Sequence, residues 1–127
     1  MEIRMRVVWI VEDDDEMSHA IKLMLQLIDC SVEIFRDARS VARQLLGGDR
    51  PDAMLLDINM PEVSGIDLLE FLRQRNDLKD LPVVMLSSET TDVQVDEAMD
   101  LGADGFIFKP VTIDELEEAL NKALAGQ

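Results

Sequence analysis

Acidic residues stand directly behind two of the most apolar stretches of the chain. Val7-Val8-Trp9-Ile10-Val11 runs into Glu12-Asp13-Asp14-Asp15, and Ala53-Met54-Leu55-Leu56 runs into Asp57. A carboxylate at the mouth of a buried strand costs desolvation energy unless a cation or hydrogen-bond donor meets it. Two further apolar runs also end in polar residues: Val83–Leu86 in Ser87-Ser88, and Phe106–Phe108 in Lys109-Pro110. If these runs are parallel strands of one sheet, their C-terminal ends share a rim. Carboxylates from two strands, hydroxyls and an ammonium then converge in one shallow cleft. Clustered carboxylates repel unless a cation joins them, and oxygen ligands with open positions suit Mg²⁺, which keeps several of its waters. A carboxylate beside such a cation can attack phosphorus and become an aspartyl phosphate. The metal and Lys109 would then neutralise the phosphoryl oxygens as charge redistributes. Asp15 has a plainer reading, as a helix N-terminal acid favoured by the helix dipole.

The elements that must position these residues are legible in the hydrophobic pattern. Five short apolar runs, including Val32–Phe35, start 25, 21, 30 and 23 residues apart. Four are continuously apolar, as expected of strands buried on both faces of a parallel sheet. Val32-Glu33-Ile34-Phe35 admits a charge and reads as an edge. Helical stripes fill the gaps. Met17, Ala20, Ile21, Met24, Leu25 and Ile28 mark the first. Val41, Leu45 and Leu46 mark the second, stopped by Gly47-Gly48. Ile66, Leu69, Phe71 and Leu72 follow Gly65, and Val95, Ala98, Met99 and Leu101 precede Gly102. Thr112 with Glu115 three residues on is a capping-box pattern, opening a helix with Ile113, Leu116, Ala119, Leu120 and Leu124. The order is (βα)5, an α/β doubly wound parallel sheet. Right-handed crossovers place helices on both faces, and ligands bind such sheets at the carboxyl ends of the strands.

Composition narrows the function. The 127 residues suit one domain with one core. A balance of 12 basic against 27 acidic residues, a formal charge of −15, repels phosphate backbones and anionic lipid, which argues against direct nucleic-acid or membrane binding. Cys30 is the sole cysteine, excluding a disulfide framework and a cysteine metal site, and fits a reducing cytoplasm. Apolar runs of five residues are too short to span a membrane, and the N-terminus lacks a secretory signal core. His19, alone near the start of the first helix, reads as a surface or boundary residue. The eight Met residues read mostly as core filler.

Taken together, VVWIVEDDDEM, LLDINMP…G, PVVMLSS and GADGFIFKP resemble the receiver domain of two-component response regulators, from Val7 to about Leu124. The resemblance implies a flavodoxin-like sheet of strand order 2-1-3-4-5, with residues 1–127 forming one receiver domain and no output domain. It implies that Asp57 accepts a phosphoryl group from a histidine kinase or phosphotransfer protein. Glu12 and Asp13 would hold Mg²⁺, with Asp57 and the backbone carbonyl of Asn59. Lys109 would pair with the Asp57 carboxylate and then with the phosphoryl group. Ser87 would move its hydroxyl to a phosphoryl oxygen, and Phe106, at the switch aromatic, would turn inward as it does. The Lys109–Pro110 bond would be cis. Ser88 departs from the small residue usual at its position, and either crowds the phosphoryl site or adds a hydrogen bond. Phe106 lacks the hydroxyl of the more common Tyr. Asn59 and Glu89 occupy two variable positions flanking the phosphoryl group; the family's single-domain chemotaxis receiver has the same pair and loses phosphate quickly.

The resulting expectation is a cytoplasmic switch read through the fourth helix, fifth strand and fifth helix. Val95 and Met99 share one face of that helix and Phe106 and Phe108 one face of that strand. They would form a partly exposed patch, Val95 and Phe106 foremost, meeting a downstream protein or a second copy of the chain. Three rivals are weaker. A haloacid-dehalogenase-type phosphatase places its acid on the first strand, with another acid two residues on; here Asn59 stands there. A flavodoxin-type flavin module needs a Ser/Thr/Gly-rich loop where this chain has four acids. A docking module that is never phosphorylated would not need the complete acceptor set.

Overall fold

The computed structural model describes residues 5–88 and 92–125, except the side chain of Asp92. Five strands alternate with five helices: β1 Arg6–Val11, α1 Asp15–Leu27, β2 Cys30–Phe35, α2 Ala38–Leu46, β3 Ala53–Asp57, α3 Gly65–Gln74, β4 Val83–Ser87, α4 Asp92–Asp100, β5 Gly105–Phe108 and α5 Ile113–Ala125. All four strand pairings are parallel, in the order β2-β1-β3-β4-β5. This is the doubly wound sheet expected from the apolar runs.

Period-2 alternation divides each run between two cores. Trp9, Val11, Met54, Leu56 and Met85 pack with Val41, Leu45, Leu69, Leu72 and Ala98 from α2, α3 and α4. Val8, Ile10, Leu55, Val84, Leu86 and Ile107 pack with Ile21, Leu25, Leu116 and Leu120 from α1 and α5. Every residue of β3 and β4 is buried, which explains their unbroken apolarity. Each large apolar side chain so buried contributes about 1.5–3 kcal/mol. Edge strand β2 instead exposes Ser31 and Glu33, as its internal charge suggested.

Helix ends follow local hydrogen bonding. Asp14, not Asp15, caps α1, accepting from the Met17 amide at 3.0 Å. Asp15 is the first helical residue and pairs with Arg36. Asp37 caps α2 through the Ser40 amide at 2.7 Å, which holds its carboxyl below the usual carboxylate range. Thr112 caps α5 by accepting from the Glu115 amide at 3.2 Å. The reciprocal arm of the capping box takes another form: the Glu115 carboxylate accepts from the Thr112 hydroxyl at 2.9 Å.

Two apolar assignments need correction. Leu46 and Ala20, placed on buried stripes by their spacing, are exposed, because those stripes are narrower than the helical period allows. The methionines are mostly core filler, as expected: Met54, Met60 and Met85 are buried and Met17 and Met24 pack against the core, while Met5 and Met99 are exposed. His19 is on the surface, as expected.

Gly102 ends α4 with φ +100°, in the left-handed region open to glycine. A Cβ there would also lie 3.2 Å from Arg73 Nε. Arg73 reaches from α3 to donate to the Gly102 carbonyl at 2.9 Å and to pair with Asp104 at 3.2 Å. Asp104 in turn accepts from the Val83 amide at 2.8 Å, so one guanidinium joins α3, the α4–β5 turn and the start of β4. Arg73→Met keeps the apolar stem and removes both contacts. It should lower unfolding free energy by about 1–3 kcal/mol, measured by urea denaturation.

Candidate functional site

Parallel register brings the strand ends to one rim. Asp57 is the last residue of β3 and lies opposite Leu86 of β4. Ser87 ends β4 opposite Phe108, and the Lys109 amide continues that ladder by donating to the Ser87 carbonyl at 2.8 Å. The Glu12 amide likewise extends β1, donating to the Phe35 carbonyl at 2.9 Å. Glu12, Asp13, Asp57, Asn59, Ser88 and Lys109 thereby line one open cleft, with Met17 on its wall.

The charges in this cleft are closely spaced. One carboxylate oxygen from each of Glu12, Asp13 and Asp57 lies within 4.8 Å of the others. Lys109 Nζ lies 2.8 Å from Glu12 Oε2 and 3.2 Å from Asp57 Oδ1. Glu12 and Asp57 are almost fully buried, at 1% and 2% exposure. Burial therefore pushes both carboxyls above their ordinary pKa, although the Lys109 ammonium opposes the shift. Asp57 adds to the rise at Glu12, and Asp13 adds to the rise at Asp57. Burial works against the Lys109 cation too, but its two carboxylate partners outweigh that and raise its pKa.

Like charges 4.8 Å apart repel by about 3 kcal/mol at an effective dielectric constant of about 20. Three carboxylates and one ammonium leave a net charge of −2, since −3 plus +1 is −2. A divalent cation matches that residue of charge. The donor set is all oxygen and open to solvent on one side, which fits Mg²⁺.

The structure places the other expected residues with mixed outcomes. Ser87 is fully buried beneath the cleft, and Ser88 is exposed at its rim. The Lys109–Pro110 bond is cis. Phe106 is 39% exposed and meets Phe108 edge-on, with ring centroids 5.1 Å apart. Phe108 is half-buried. Val95, expected at the centre of the exposed patch, is buried at 8%, whereas Met99 is 43% exposed. Spacing put these two on one helix face, but the fold buries the first and leaves the second outside. Glu89 lies outside the described residues.

Two features escaped the sequence. The shorter contact of Lys109 is with Glu12 rather than with Asp57. Gly65 is required on steric grounds, because a Cβ there would sit 2.1 Å from the Asp57 carbonyl oxygen. Its amide donates to the Ile58 carbonyl at 2.9 Å, closing the loop that follows the acid. Gly65 is visible in the sequence as a chain break, but its contact needs the folded loop.

A family model, the response regulator receiver domain, matches residues 8–121. This chain belongs to that family. The receiver domain is 34% identical over 113 residues to chemotaxis protein CheY of Pseudomonas aeruginosa, covering 89% of this chain and 91% of that one. It is 34% identical over 107 residues to response regulator MprA of Mycolicibacterium vanbaalenii, covering 84% of this chain and 45% of MprA. It thus spans about half the length of the second relative and nearly all of the first. Among solved structures, chemotaxis protein CheY4 of Vibrio cholerae superposes with a TM-score of 0.86 at 27% identity, over 95% of this chain and 100% of that one. The signal receiver domain of a histidine kinase from Syntrophus aciditrophicus gives 0.85 at 30% identity, over 95% and 91%.

Two outcomes test this geometry. Gly65→Ala forces the Asp57 backbone aside and should lower stability by about 1–3 kcal/mol, measured in urea. In metal-free protein, the folded state binds more protons than the unfolded chain between the ordinary and raised pKa of Glu12 and Asp57. Stability should therefore fall as pH rises through that window, and Mg²⁺ should offset the loss. The gain in Tm on adding Mg²⁺ should be larger at about pH 8 than at about pH 5. Trp9, buried against Phe35 at 4.8 Å, reports unfolding by fluorescence.

Proposed function

We propose that this receiver domain is a phospho-accepting signalling switch with Asp57 as acceptor. The observation that carries the reading is the Lys109 ammonium bridging two buried carboxylates, one of them at the end of β3. Asp57 presents a carboxylate oxygen to the cleft while its backbone is held in the sheet. In the proposed reaction that oxygen attacks the phosphorus of a phosphohistidine on a histidine kinase or phosphotransfer protein. The new O–P bond forms as the P–N bond breaks, and the electron pair leaves on the imidazole nitrogen. Lys109 exchanges its contact with Asp57 for one with a phosphoryl oxygen. Glu12, Asp13, Asp57 and the backbone carbonyl of Asn59 would hold Mg²⁺, which supplies positive charge to the phosphoryl oxygens.

The readout follows from position. Ser87 is one strand away from Asp57 and moves its hydroxyl toward the phosphoryl group. Phe106, exposed beside Phe108, turns inward into the space so vacated. The state of Asp57 then reaches the surface of α4, β5 and α5, where a downstream protein binds. Met99 and Phe106 carry that contact. Val95, being buried, supports it from beneath. Asn59, which lines the cleft, sets the access of hydrolytic water together with Glu89 as the family resemblance implies, with Ser88 adding bulk or a hydrogen bond at the rim. The chain catalyses only its own phosphorylation and dephosphorylation, in the cytoplasm.

With Mg²⁺ and acetyl phosphate, the protein should gain one acid-stable, base-labile phosphoryl group, seen by intact mass. Asp57→Asn should abolish it, because an amide is not a nucleophile; undiminished labelling would refute the assignment. Ser87→Ala should still accept phosphate but lose the accompanying change at Phe106, followed by NMR of the ring. After donor removal, the phosphoryl group should last seconds to minutes; persistence for many hours would overturn the roles of Asn59 and Glu89.

A further inference from the structure

The surface of α4, β5 and α5 has a charge pattern that selects its occupant. A groove of about 360 Å³ lies there, lined by Met99, Phe106, Asp104, Glu115, Glu118 and Lys122. Its apolar lining includes Met99, Phe106, Ile107 and Ala119, and Met99 and Phe106 are among the exposed large hydrophobic residues of the protein. Its rim is acidic. Asp96 and Asp100 are exposed on α4 and, four residues apart, are neighbours on its surface; Asp96 is also three residues from Met99. From Asp92 to Ala125 the sequence has nine acidic residues and two lysines. Lys109 is engaged with Glu12 and Asp57 in the cleft, and Lys122 pairs with Glu118 at 3.4 Å. Among the described residues, the face therefore offers a second copy of itself no cation that is not already engaged with an acid of its own chain.

We infer that this groove receives a segment of an unlike protein that carries a large apolar side chain flanked by lysines or arginines, and that it is not a face for self-pairing. The inference rests on the reading of α4, β5 and α5 as the surface through which Asp57 is read, and names the chemistry of what reads it. Two copies joined through this face would bring Asp96, Asp100 and Glu115 against the same set, with Asp104 and Glu118 already paired to Arg73 and Lys122 of their own chain. Like charges juxtaposed across an interface disfavour it by several kcal/mol, whereas a cationic partner is steered toward the groove and held in register. The apolar anchor is what separates a docked segment from a diffuse cloud of counterions. Met99 and Phe106 supply its contact, and the acids fix its orientation.

The experiment compares two synthetic amphipathic peptides of the same length, one built from Leu and Lys and one from Leu and Glu, by NMR titration of the full chain at low salt. The Leu/Lys peptide should bind at least about tenfold tighter, a difference of about 1.4 kcal/mol, and shift the amides of Met99, Phe106 and Ala119. Replacing its leucines with serine should remove those shifts. Asp100→Lys combined with Glu118→Lys should weaken it about tenfold, while Glu33→Lys combined with Glu70→Lys, the same charge change elsewhere, should alter it less than about twofold. Equal losses in the two double variants would mean unspecific attraction and overturn the inference. So would tighter binding of the Leu/Glu peptide, or a dimer in sedimentation equilibrium that buries Met99 and Phe106. Phosphoryl uptake by Asp57 is measured on the same samples. Uptake without the peptide preference overturns this inference alone; the preference without uptake overturns the switch and leaves the groove's selectivity standing.

Discussion

The site depends on one ammonium placed against two buried carboxylates. Lys109 comes from the far end of the chain, behind β5, and meets Glu12 from β1 and Asp57 from β3. No local segment can make this contact; it exists only when β1, β3, β4 and β5 are in parallel register. Yet it does not balance the charge. The pKa values of Glu12 and Asp57 stay raised despite Lys109, because burial outweighs the single cation they share. The fold thus holds an arrangement that is electrostatically incomplete and asks for a further cation at one fixed place. The same incompleteness leaves the proposed acceptor carboxylate buried enough to be dry and poised enough to be reactive.

The rest of the molecule maintains that arrangement. Two cores clamp the sheet from opposite faces, and β3 at its centre is buried along its whole length. Asp57 is therefore carried by the most constrained strand of the protein. Beyond the rim, contacts become lighter. Met99 and Phe106 are exposed, and α4 packs one side only, with Ala98 and Val95 buried. Rigidity at Asp57 and lighter packing at α4 and β5 are complementary requirements of the proposed two-state switch.

Much of this was legible in the chain. The unbroken runs at β1, β3 and β4 announced two-sided burial, and the glutamate within β2 announced the edge. The acids, serines and lysine behind those runs announced the cleft, since strand ends are shared only in a parallel sheet. What stayed hidden depends on distances between remote segments. The spacing of Val95 and Met99 places them on one helical face, but not at different depths beneath the sheet. Likewise Glu12 looked like a metal ligand only; that it is also the nearer partner of Lys109, 97 positions away, follows only once the chain between them is folded. Leu46 fits the helical period and is still outside the core. Periodicity reports direction, not how far the neighbouring element extends.

The ring closed by the Gly65 amide and the Ile58 carbonyl has a consequence for protein engineering. Connecting loops usually absorb insertions because nothing measures their length. This one is measured at both ends: by the hydrogen bond of 2.9 Å, and by the Asp57 carbonyl standing where any Cβ on residue 65 would be. A residue added between Asn59 and Ser64 must either bulge into solvent or displace Asp57. A reporter or recognition peptide grafted onto this receiver therefore belongs elsewhere, for instance after α2, where a Cβ built on Gly48 would meet nothing within 4 Å.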